Sequence, residues 1–398
     1  STSRRQRQMC IRDRFRYTDG WVGSDTATGR RFMYQGVFTG LTGTMFGTNY
    51  TSANGYGEEK YGVNVTWSKS RKQDLGIDLK FLKDNLSVTV DLFKEHRKDI
   101  FLSRATIPDY GGFIEMPYGN LGIVDNKGIE ATLEYTQQLG KKTYLTVRGN
   151  FAWNEDEIIE NDDPTVAYPW LEKRGTNVNG RWGWIAEGLF TSNDEILDHA
   201  KQFGEDYPGQ VSQVGDIKYK DVNGDGTIDS NDQIAIGYSN VAPEIYYSFH
   251  LGAEWKGIGF DVMFQGTANY SAVLNTKSMY WPLINNTTLS SHYYENRWTP
   301  ENQNAKYPRL SSQSNANNYQ TNTIWLADRS FLKLRNVEVY YKFPKHLLQK
   351  TKILGSAKLY VRGVDLLCFD HIDVADPESY GATNPLNRSV VVGLKIGF

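Results

Sequence analysis

The chain has 398 residues, of which 23% are charged, and its formal net charge is −2. That balance gives no case for nucleic-acid binding, which requires a basic patch or a high pI. Mean hydropathy is −0.55, and no apolar run approaches the roughly 18 residues that a membrane helix needs. A transmembrane barrel remains open, because its strands alternate apolar and polar residues and keep the average hydropathy low.

The first residues carry an unusual basic string. Arg4–Asp13 reads RRQRQMCIRD and resembles a translated sequencing-adapter end, which Arg14 continues. We therefore predict that residues 1–14 are such an artefact, with a basic disordered tail as the alternative. In that case Cys10 is not native. The chain has two cysteines, Cys10 and Cys368, and they do not indicate a disulfide framework. No secretory signal opens the chain.

Strand signals recur along the chain. In GIEATLEYT, residues 128–136, apolar residues alternate with Glu130, Thr132 and Glu134, as expected of a strand with one polar and one apolar face. The same period of two occurs in NLSVTVDLF (85–93), YLTVRGNFAW (144–153), IYYSFHLGAEW (245–255), FDVMFQGTANY (260–270) and VVVGLKIGF (390–398).

These strands are joined alternately by short turns and by long connections. The long connections span Asn154–Arg181, Thr191–Val241 and Leu274–Ile324. Short turns at one end and long loops at the other are typical of a transmembrane barrel, whereas a β-sandwich shows shorter strands and more even loops. Charged residues between apolar neighbours, such as Arg148 and Asp261, fit a polar inner face. The sequence therefore predicts an all-β fold, an antiparallel transmembrane β-barrel fragment with long extracellular loops.

The predicted strand ends support a membrane setting. Aromatic residues near strand ends suit the interfacial girdles of barrels, and four of them are Tyr135, Trp153, Trp255 and Tyr270. Taken singly, each of the four is explained equally by ordinary packing. The last residue is Phe398, which follows alternating apolar residues. A terminal strand of this kind resembles the signal that the barrel-assembly machinery reads.

DVNGDGTIDSND, residues 221–232, has the spacing of a calcium loop. Oxygen-bearing side chains occupy loop positions 1, 3, 5, 9 and 12, Gly226 supplies the sharp turn at position 6, and position 7 offers its backbone carbonyl. Position 12 is Asp rather than the usual bidentate Glu, so that ligand is weak or replaced by water. The predicted Ca²⁺ ligands are Asp221, Asn223, Asp225, Thr227, Asp229 and Asp232.

Two alternatives to a calcium loop remain open. An Asp/Asn/Gly-rich turn that binds no metal has the same composition. The stretch also resembles a dockerin repeat, but that module needs a following helix and a second copy. Here Pro243 and a period-two strand pattern follow, and no second loop occurs in the sequence. The loop therefore fits a β-protein, as a pinned surface loop.

Several stretches, in a fixed order, resemble the C-terminal half of the barrel of a SusC-like (SusC/RagA family) TonB-dependent outer-membrane transporter. The resemblance covers most of Tyr61–Phe398, and no comparable resemblance precedes Tyr61. The stretches are NLGIVDNKGIEATLEY, GWIAEGLFTSNDEI, GDIKYKDVNGDGTIDSNDQIAIG, NRWTPENQNAKYPRL, WLADRSFLKLRNVEVYY and LKIGF.

The resemblance implies TonB-driven import of a glycan or peptide nutrient across the outer membrane, with a SusD-like lipoprotein as partner and no catalytic residue. It implies that the full protein has a barrel of about 22 strands. The plug domain and the TonB contact would then lie in sequence outside this chain. Residues 15–60 would then be a partial barrel or loop region, and residues 61–398 the C-terminal part of the barrel. The calcium loop would lie on the extracellular side, where the ion would order a long loop that has few apolar residues.

Two other functions fit parts of the sequence. An extracellular, calcium-stabilised β-rich glycan-active enzyme would use carboxylates such as those in WNEDEIIENDD, residues 153–163. Paired glycosidase carboxylates normally come from separate elements, however, so this stretch is better explained as a solvated acidic loop. The six histidines show no triad spacing. A passive porin or adhesin barrel fits the terminal strand equally well, although the ordered family motifs argue against it.

Overall fold

The computed structural model describes residues 14–24, 32–46, 51–140, 142–203, 211–274, 288–312, 315–348, 350, 353–373, 375–379 and 386–398. Residues 1–13, and with them Cys10 and most of the adapter-like string, lie outside the described residues; Arg14 begins the first strand. Within the described part of the chain, no helix has the length and hydropathy needed to cross a membrane.

The secondary structure is almost entirely strand. The strands are β1 (Arg14–Ser24), β2 (Val37–Phe46), β3 (Thr51–Lys60), β4 (Ser68–Phe81), β5 (Leu86–Ser103), β6 (Tyr118–Gly140), β7 (Thr143–Glu160), β8 (Arg181–Gly183), β9 (Ala186–Leu189), β10 (Ile217–Tyr219), β11 (Ile234–Gly237), β12 (Ile245–Trp255), β13 (Ile258–Ala268), β14 (Ser271–Val273), β15 (Leu326–Asp328), β16 (Phe331–Lys342), β17 (Ser356–Asp370) and β18 (Ser389–Gly397). The α-helices are α1 (Asn193–Asp198), α2 (Ser291–Asn296) and α3 (Lys345–Leu348), and 3₁₀ turns occur at Asp109–Gly111, Pro169–Leu171 and Ser230–Asp232.

Ten strands form one antiparallel sheet, in the order β1-β4-β5-β6-β7-β12-β13-β16-β17-β18. Neighbours in this sheet follow chain order, with β2–β3 forming a separate hairpin between β1 and β4. This order is the meander of an up-and-down barrel. Phe398 directly follows β18. Together with the structural likeness reported below, this arrangement confirms the predicted antiparallel transmembrane barrel fragment.

Short turns join the strands at one end of this sheet. The β12–β13 turn consists of Lys256 and Gly257, both with positive φ (53° and 95°), as a two-residue type I′ hairpin requires. The β4–β5 turn spans residues 82–85. The long connections all leave from the opposite end. The first of them begins after Glu160 rather than at Asn154, because β7 continues through the acidic stretch.

The two faces of the sheet differ in chemistry. One lateral row across neighbouring strands contains Leu133, Gly149, Phe249 and Phe264, and Leu133 and Phe249 are exposed. The adjacent row, on the other face, contains Thr132, Asn150, Ser248, Gln265 and Lys333. A membrane-spanning strand needs an apolar outer face, because its outward side chains contact lipid rather than water, while its inner face may be polar. The two faces of this sheet have that chemistry.

The main buried core lies outside the large sheet, in the long connections. Trp325 stacks on Tyr307 with ring centroids 5.4 Å apart, and Tyr307 stacks on Tyr293 at 5.3 Å. All three rings are almost fully buried. We call this assembly the loop layer; its buried apolar residues are Trp184, Ile217, Tyr219, Ile228, Ala272, Leu274, Tyr293, Tyr307, Tyr319, Trp325 and Ile372.

The loop layer corrects one sequence prediction. The connections were expected to have too few apolar residues to order themselves, yet they share an aromatic core and three small antiparallel sheets, β8–β11, β9–β10 and β14–β15. For Tyr270 the structure agrees with ordinary packing rather than with an interfacial girdle, because it is buried and its ring lies 4.3 Å from the Arg329 guanidinium carbon. Trp255, at the end of β12, is exposed as an interfacial residue should be.

A close glycine–tyrosine contact generates the first prediction. A Cβ at Gly259 would lie 2.2 Å from the ring of Tyr340, and that ring cannot move freely because its hydroxyl donates to Glu254 over 2.9 Å. We expect Gly259→Ala to lower the free energy of unfolding by about 1–3 kcal/mol, as overpacking does. Thermal unfolding in detergent, followed by circular dichroism, measures this.

The matched control is Gly149→Ala on β7. A Cβ there meets nothing within 4 Å, so this change should leave the unfolding temperature unchanged or slightly higher, because alanine is less costly than glycine in a strand. Equal destabilisation by both substitutions would contradict the role given to Tyr340.

Candidate functional site

The predicted calcium loop is a compact turn built on backbone-to-carboxylate hydrogen bonds. Asp221 accepts from Gly224 N (2.7 Å) on Oδ1 and from Gly226 N (2.8 Å) on Oδ2. Asp225 Oδ1 accepts from Thr227 N over 2.9 Å. Gly224 and Gly226 both have positive φ (74° and 82°), a region that glycine enters without steric cost. The first half of the loop is therefore held in a tight curve by its own side chains.

Asn223 joins the first half of the loop to its centre. Its Oδ1 accepts from Asp225 N over 3.0 Å, and its Nδ2 donates to Asp225 Oδ2 over 2.8 Å. The structure thus brings three predicted ligands, Asp221, Asn223 and Asp225, onto one turn.

The second half of the loop is organised differently. Asp229 and Asp232 form a capping box on the short 3₁₀ turn Ser230–Asp232. Asp232 is fully buried and accepts three backbone N–H groups, from Val222 and Asn223 on Oδ1 and from Asp229 on Oδ2. Asp232 is therefore the internal brace that ties the end of the loop to its beginning.

Some of the side-chain oxygens of the predicted Ca²⁺ ligands remain available to bind a hard cation. A carboxylate oxygen has two lone pairs, so each Asp221 oxygen and Asp225 Oδ2, which accept one hydrogen bond each, keep capacity for an ion. Asp232 Oδ1 is saturated by two N–H groups, which leaves Oδ2 as its available oxygen. No group of three or more His, Cys, Asp or Glu side chains is drawn together in a metal-binding arrangement within the part of the chain that is described.

Two tryptophans attach the loop to the loop layer. Trp184 Nε1 donates to the Asp229 carbonyl over 2.7 Å, and Trp170 Nε1 donates to the Asn231 carbonyl over 2.8 Å. Lys201 forms a backbone bridge to Gly226 and Ile228. The loop that follows β10 is therefore pinned from two sides, while residues 224–227 stay exposed.

Helix α1 borders the same region. Ser192 caps it by accepting from Glu195 N. The Lys218 ammonium, 2.6 Å from the Glu195 carboxylate, and the Thr191 N–H lower the pKa of Glu195 to about 2. A lowered carboxyl pKa stabilises the fold above the ordinary value of 4.5 and loses that contribution as the pH falls toward 2.

A buried polar cluster holds the centre of the loop layer. Asp216 accepts from Asn318 Nδ2 over 2.8 Å and is paired with Arg309. Tyr219, which is fully buried, accepts from Asn322 Nδ2 over 2.8 Å, and burial raises its pKa. Since a buried polar group without a partner costs about 1–3 kcal/mol, these asparagines fix the position of the segment that leads into the calcium loop.

Three cations on β16 and on the residues before it connect the loop layer to the polar face of the sheet. Lys333 Nζ lies 2.8 Å from Asp376 and 2.7 Å from Glu378. Arg335 bonds Glu378 over 2.6 Å. Arg329 donates to the backbone carbonyls of residues 377 and 378. These contacts hold residues 376–378, which follow β17, against the polar face of the sheet.

A β-bulge in β16 allows Arg335 to make these contacts. In the pairing of β16 with β13, Asn336 pairs with Met263 and Leu334 with Phe264, so Arg335 is an extra residue of β16 at this point. Its guanidinium reaches Gln265 on β13 (3.1 Å) and Asp365 on β17 (2.7 Å), and Asp365 has a φ of 53°. Re-aiming a side chain is a known use of such bulges.

The polar face carries further charge pairs between strands. Glu134 pairs with Arg148 at 3.0 Å, and Glu338 is held by both Lys358 and Arg362. A concavity of about 340 Å³ on this face is lined mainly by neutral groups, including Thr132, Asn150, Tyr246, Ser248 and Gln265. The concavity thus offers mainly neutral hydrogen-bonding groups beside the Glu130 carboxylate, while Glu134 and Glu338 elsewhere on this face are paired with cations.

The acidic stretch is mostly strand rather than the solvated loop that was expected, because β7 continues to Glu160. Asp156 Oδ2 accepts from Val178 N over 2.7 Å, and Asp162 accepts from Ala105 N and from Thr106. These two carboxylates hold the end of β7 and the residues after it against neighbouring loops, which is a structural role rather than that of an acid–base pair.

Sequence reasoning missed the contacts that Arg329, Lys333 and Arg335 make with residues 376–378. It also missed the buried hydrogen bonds of Asn318 and Asn322. The stretch WLADRSFLKLRNVEVYY was recognised as a motif, but nothing in it shows which acids pair with Lys333 and Arg335. The available signal was the placing of Lys333 and Arg335 between apolar residues at the start of β16. The run NANNYQTN, residues 315–322, lies in the third long connection and has no periodicity that indicates buried contacts.

Sequence comparison finds related receptors over most of the chain. No family model matches. Similar proteins include TonB-dependent receptor P3 of Formosa agariphila (23% identical; 84% of this chain and 33% of the relative) and receptor P39 of the same organism (24%; 88% and 37%). TonB-dependent receptor SusC of Bacteroides thetaiotaomicron is 22% identical over 89% of this chain and 34% of its own length. The chain spans about a third of the length of these relatives.

Solved structures show the same fold. The structure of the RagAB peptide transporter contains a chain that matches 97% of this one with a TM-score of 0.67 at 22% identity, over 41% of its own length. The RagAB importer in its open-open state gives a TM-score of 0.66 at 21% identity. Tyr61–Phe398 is a smaller share of the chain than the 88–89% matched in sequence or the 97% matched in structure. The similarity therefore extends into the residues before Tyr61, and the expectation that no resemblance precedes Tyr61 is wrong.

These relatives are named as receptors and transporters rather than as enzymes. The resemblance predicted from the sequence is thereby confirmed: over most of its length the chain is similar to SusC-like TonB-dependent receptors, and its sheet has the fold of part of the barrel wall in a transporter of that kind.

Proposed function

We propose that this chain forms part of an outer-membrane importer that takes up a glycan or peptide nutrient, is driven through TonB and works with a SusD-like surface lipoprotein. The observation that carries the proposal is the similarity to TonB-dependent receptors over 84–89% of the chain, together with the fold shared with the RagAB transporter. The plug and the TonB contact would be supplied by sequence outside this chain.

The chemistry of the two faces supports import. Exposed apolar side chains such as Phe249, Val339 and Val361 suit lipid. Thr132, Asn150, Ser248 and Gln265 are four neutral polar residues in one row. They suit the passage of a solute rich in hydroxyl or amide groups, because they can exchange hydrogen bonds with such groups.

We also propose that the loop of residues 221–232 binds one Ca²⁺ through Asp221, Asn223, Asp225, the Thr227 carbonyl, Asp229 and Asp232. Support comes from the spacing and from the three ligands that already share one turn. The ion would neutralise carboxylates that otherwise repel one another. Because the loop layer has its own aromatic core, the ion would order the loop rather than the whole connection.

The import proposal predicts a TonB-dependent phenotype. Deleting the gene in its native host should abolish uptake of one class of oligosaccharide or peptide, and deleting TonB should have the same effect. Growth on defined nutrients and uptake of labelled substrate measure this, and mass spectrometry of ligands that co-purify with the native protein separates glycan from peptide. A SusD-like lipoprotein should co-purify.

A passive porin would give a different result. If uptake persists without TonB and is lost only without this protein, the energised mechanism is wrong. Reintroducing the wild-type gene is the control for polar effects on neighbouring genes.

The calcium proposal predicts that two aspartates behave differently. Asp225→Ala removes a ligand, so it should increase proteolysis within the loop strongly in Ca²⁺. In chelator it should add only the smaller effect of losing two hydrogen bonds at an exposed turn. Asp232→Ala leaves three backbone N–H groups without an acceptor, at a cost of about 1–3 kcal/mol, so it should increase proteolysis in both conditions. Limited proteolysis of the full-length protein, with cleavage sites identified by mass spectrometry, measures this.

Glu301→Ala is the matched control, because Glu301 is an exposed acid in another part of the long connections. It should leave cleavage unchanged in both conditions. If chelator does not change cleavage within residues 221–232 of the wild-type protein, the loop is a hydrogen-bonded turn and the metal proposal fails.

A further inference from the structure

One carboxylate on the polar face of the sheet lacks the cation that its neighbours have. Glu130 lies on β6 and is exposed, and it forms no ion pair or side-chain hydrogen bond with the residues that the structure describes. On the same strand Glu134 pairs with Arg148 at 3.0 Å, and on β16 Glu338 is held by two cations. The charge of the Glu130 carboxylate is therefore not offset within the described part of the chain.

The strand next to Glu130 adds negative charge rather than removing it. Asp91 on β5 is the direct cross-strand partner of Glu130. Asp91 pairs with Arg16 at 3.0 Å, but the same guanidinium group also lies 3.5 Å from Asp78. One cation is thus shared by two carboxylates, so Asp78, Asp91 and Glu130 together carry more negative charge than Arg16 offsets.

Cations on the opposite side of the concavity do not reverse this balance. Arg335 reaches the edge of the concavity by donating to Gln265 over 3.1 Å. The two cations on this side, Arg335 and Lys333, are paired with three carboxylates, which are Asp365, Asp376 and Glu378. They therefore leave no unpaired positive charge beside the concavity, and its field is negative.

The concavity has the shape and lining of a site for a small cationic group. In one lateral row Glu130 is the partner of Ala152, and Ala152 is the partner of Tyr246. Neighbouring strands lie about 4.8 Å apart, so the backbones of Glu130 and Tyr246 are about 10 Å apart with only a methyl group between them. All three residues line the concavity, and Tyr246 is 44% exposed. A carboxylate and an aromatic ring thus flank a floor formed by Ala152.

The adjacent row supplies neutral acceptors beside the carboxylate. Thr132 Oγ1 donates to Asn150 Oδ1 over 3.2 Å, and Asn150 Nδ2 donates to Ser248 Oγ over 3.0 Å. Since the Thr132 hydroxyl gives its hydrogen to Asn150, its oxygen lines the concavity as an acceptor. Glu130 and Thr132 lie two residues apart on the same face of β6, so their oxygens offer acceptors to one group that carries several N–H donors.

We propose that this concavity binds an ammonium or guanidinium group of the imported solute, with Glu130 as its counter-ion and the Tyr246 ring as a second contact. The inference rests on the proposed import function and narrows the substrate to a solute that carries such a group. A charge-assisted hydrogen bond to a carboxylate is stronger than a neutral one, and a cation is attracted to the face of an aromatic ring. An amino sugar and a lysine side chain of a peptide share this chemistry.

The test uses two pairs of probes with the full-length protein in detergent. One pair is the trimer of glucosamine and its fully N-acetylated form, and the other is Ala-Lys-Ala and Ala-norleucine-Ala with blocked termini. Within each pair only one member is cationic. We expect isothermal titration calorimetry to show that at least one cationic probe binds about tenfold more tightly than its neutral partner. Salt at about 1 M should remove most of that difference by screening.

Variants assign the discrimination to named residues. Glu130→Gln removes the charge and keeps the shape, so the cationic probe should lose its advantage while the affinity of the neutral partner stays unchanged. The matched control is Glu157→Gln, because Glu157 is an exposed glutamate on the other face of the sheet; it should keep the full discrimination. Tyr246→Leu should weaken binding of the cationic probe about two- to fivefold, whereas Tyr246→Phe, which keeps the ring, should not.

Three outcomes would overturn the proposal: no measurable binding of either cationic probe, equal affinity within both pairs, or discrimination that survives Glu130→Gln. A preference confined to the glucosamine trimer would identify an amino sugar as the source of the cation, and one confined to the lysine peptide would identify a peptide. Thermal unfolding followed by circular dichroism checks that Glu130→Gln folds. Its unfolding temperature should equal that of the wild type or exceed it, because the substitution removes a charge opposite Asp91.

The failure of this inference is distinguishable from that of the proposed function. TonB-dependent uptake of a nutrient in the native host, together with equal affinity within both probe pairs, would sink only the cation site. Deletion of the gene without any effect on nutrient uptake would sink the proposed import function itself.

Discussion

The antiparallel ladder is the constraint on which the rest of the structure depends. In a strand, successive side chains point to opposite faces, and in this sheet one face is apolar and exposed while the other carries polar and charged groups. A shift of one residue would exchange the two faces along a whole strand. The sheet therefore admits one register, and the alternation of faces changes only where a bulge adds a residue, as at Arg335 in the pairing of β16 with β13.

That bulge shows how the ladder and the loops are joined. By adding one residue to the polar face, it places Arg335 within reach of β13, β17 and the segment that contains Glu378. Lys333 and Arg329 complete the contact from either side. The cost of burying three cations is offset by carboxylates and carbonyls aimed at them, since a buried pair with one partner removed would leave an uncompensated charge. The sheet thereby fixes where the loop layer sits.

The sequence was informative wherever structure is local. Period-two alternation identified the faces of β6, β7, β12 and β13 because both faces are encoded within a few consecutive residues. The calcium-like loop was recognised for the same reason, since Asp221 bonds Gly224 and Gly226 and Asp225 bonds Thr227. The unexpected brace was Asp232, whose contacts reach back to Val222 across ten positions.

The loop layer escaped sequence analysis because its contacts are distant. Trp325 stacks on Tyr307, and Tyr219 meets Asn322 across 103 positions. No periodicity connects such residues, so tyrosine, tryptophan and asparagine in the connections resembled ordinary loop composition. The buried location of Tyr270 could not be foreseen either, because its partner Arg329 lies 59 positions away.

The shared core of the loop layer has a consequence for how such a protein can diversify. Residues from connections that are far apart in the chain, such as Ile217, Tyr293 and Trp325, fill one interior, so an insertion or a bulky change in one connection is felt by the others. Mutations that accumulate in one connection alone would leave cavities or steric clashes at the stacked rings of Tyr293, Tyr307 and Trp325. New recognition properties would then arise most readily when the connections are inherited as a matched set, exchanged between barrels as one block, while the ladder beneath them stays unchanged.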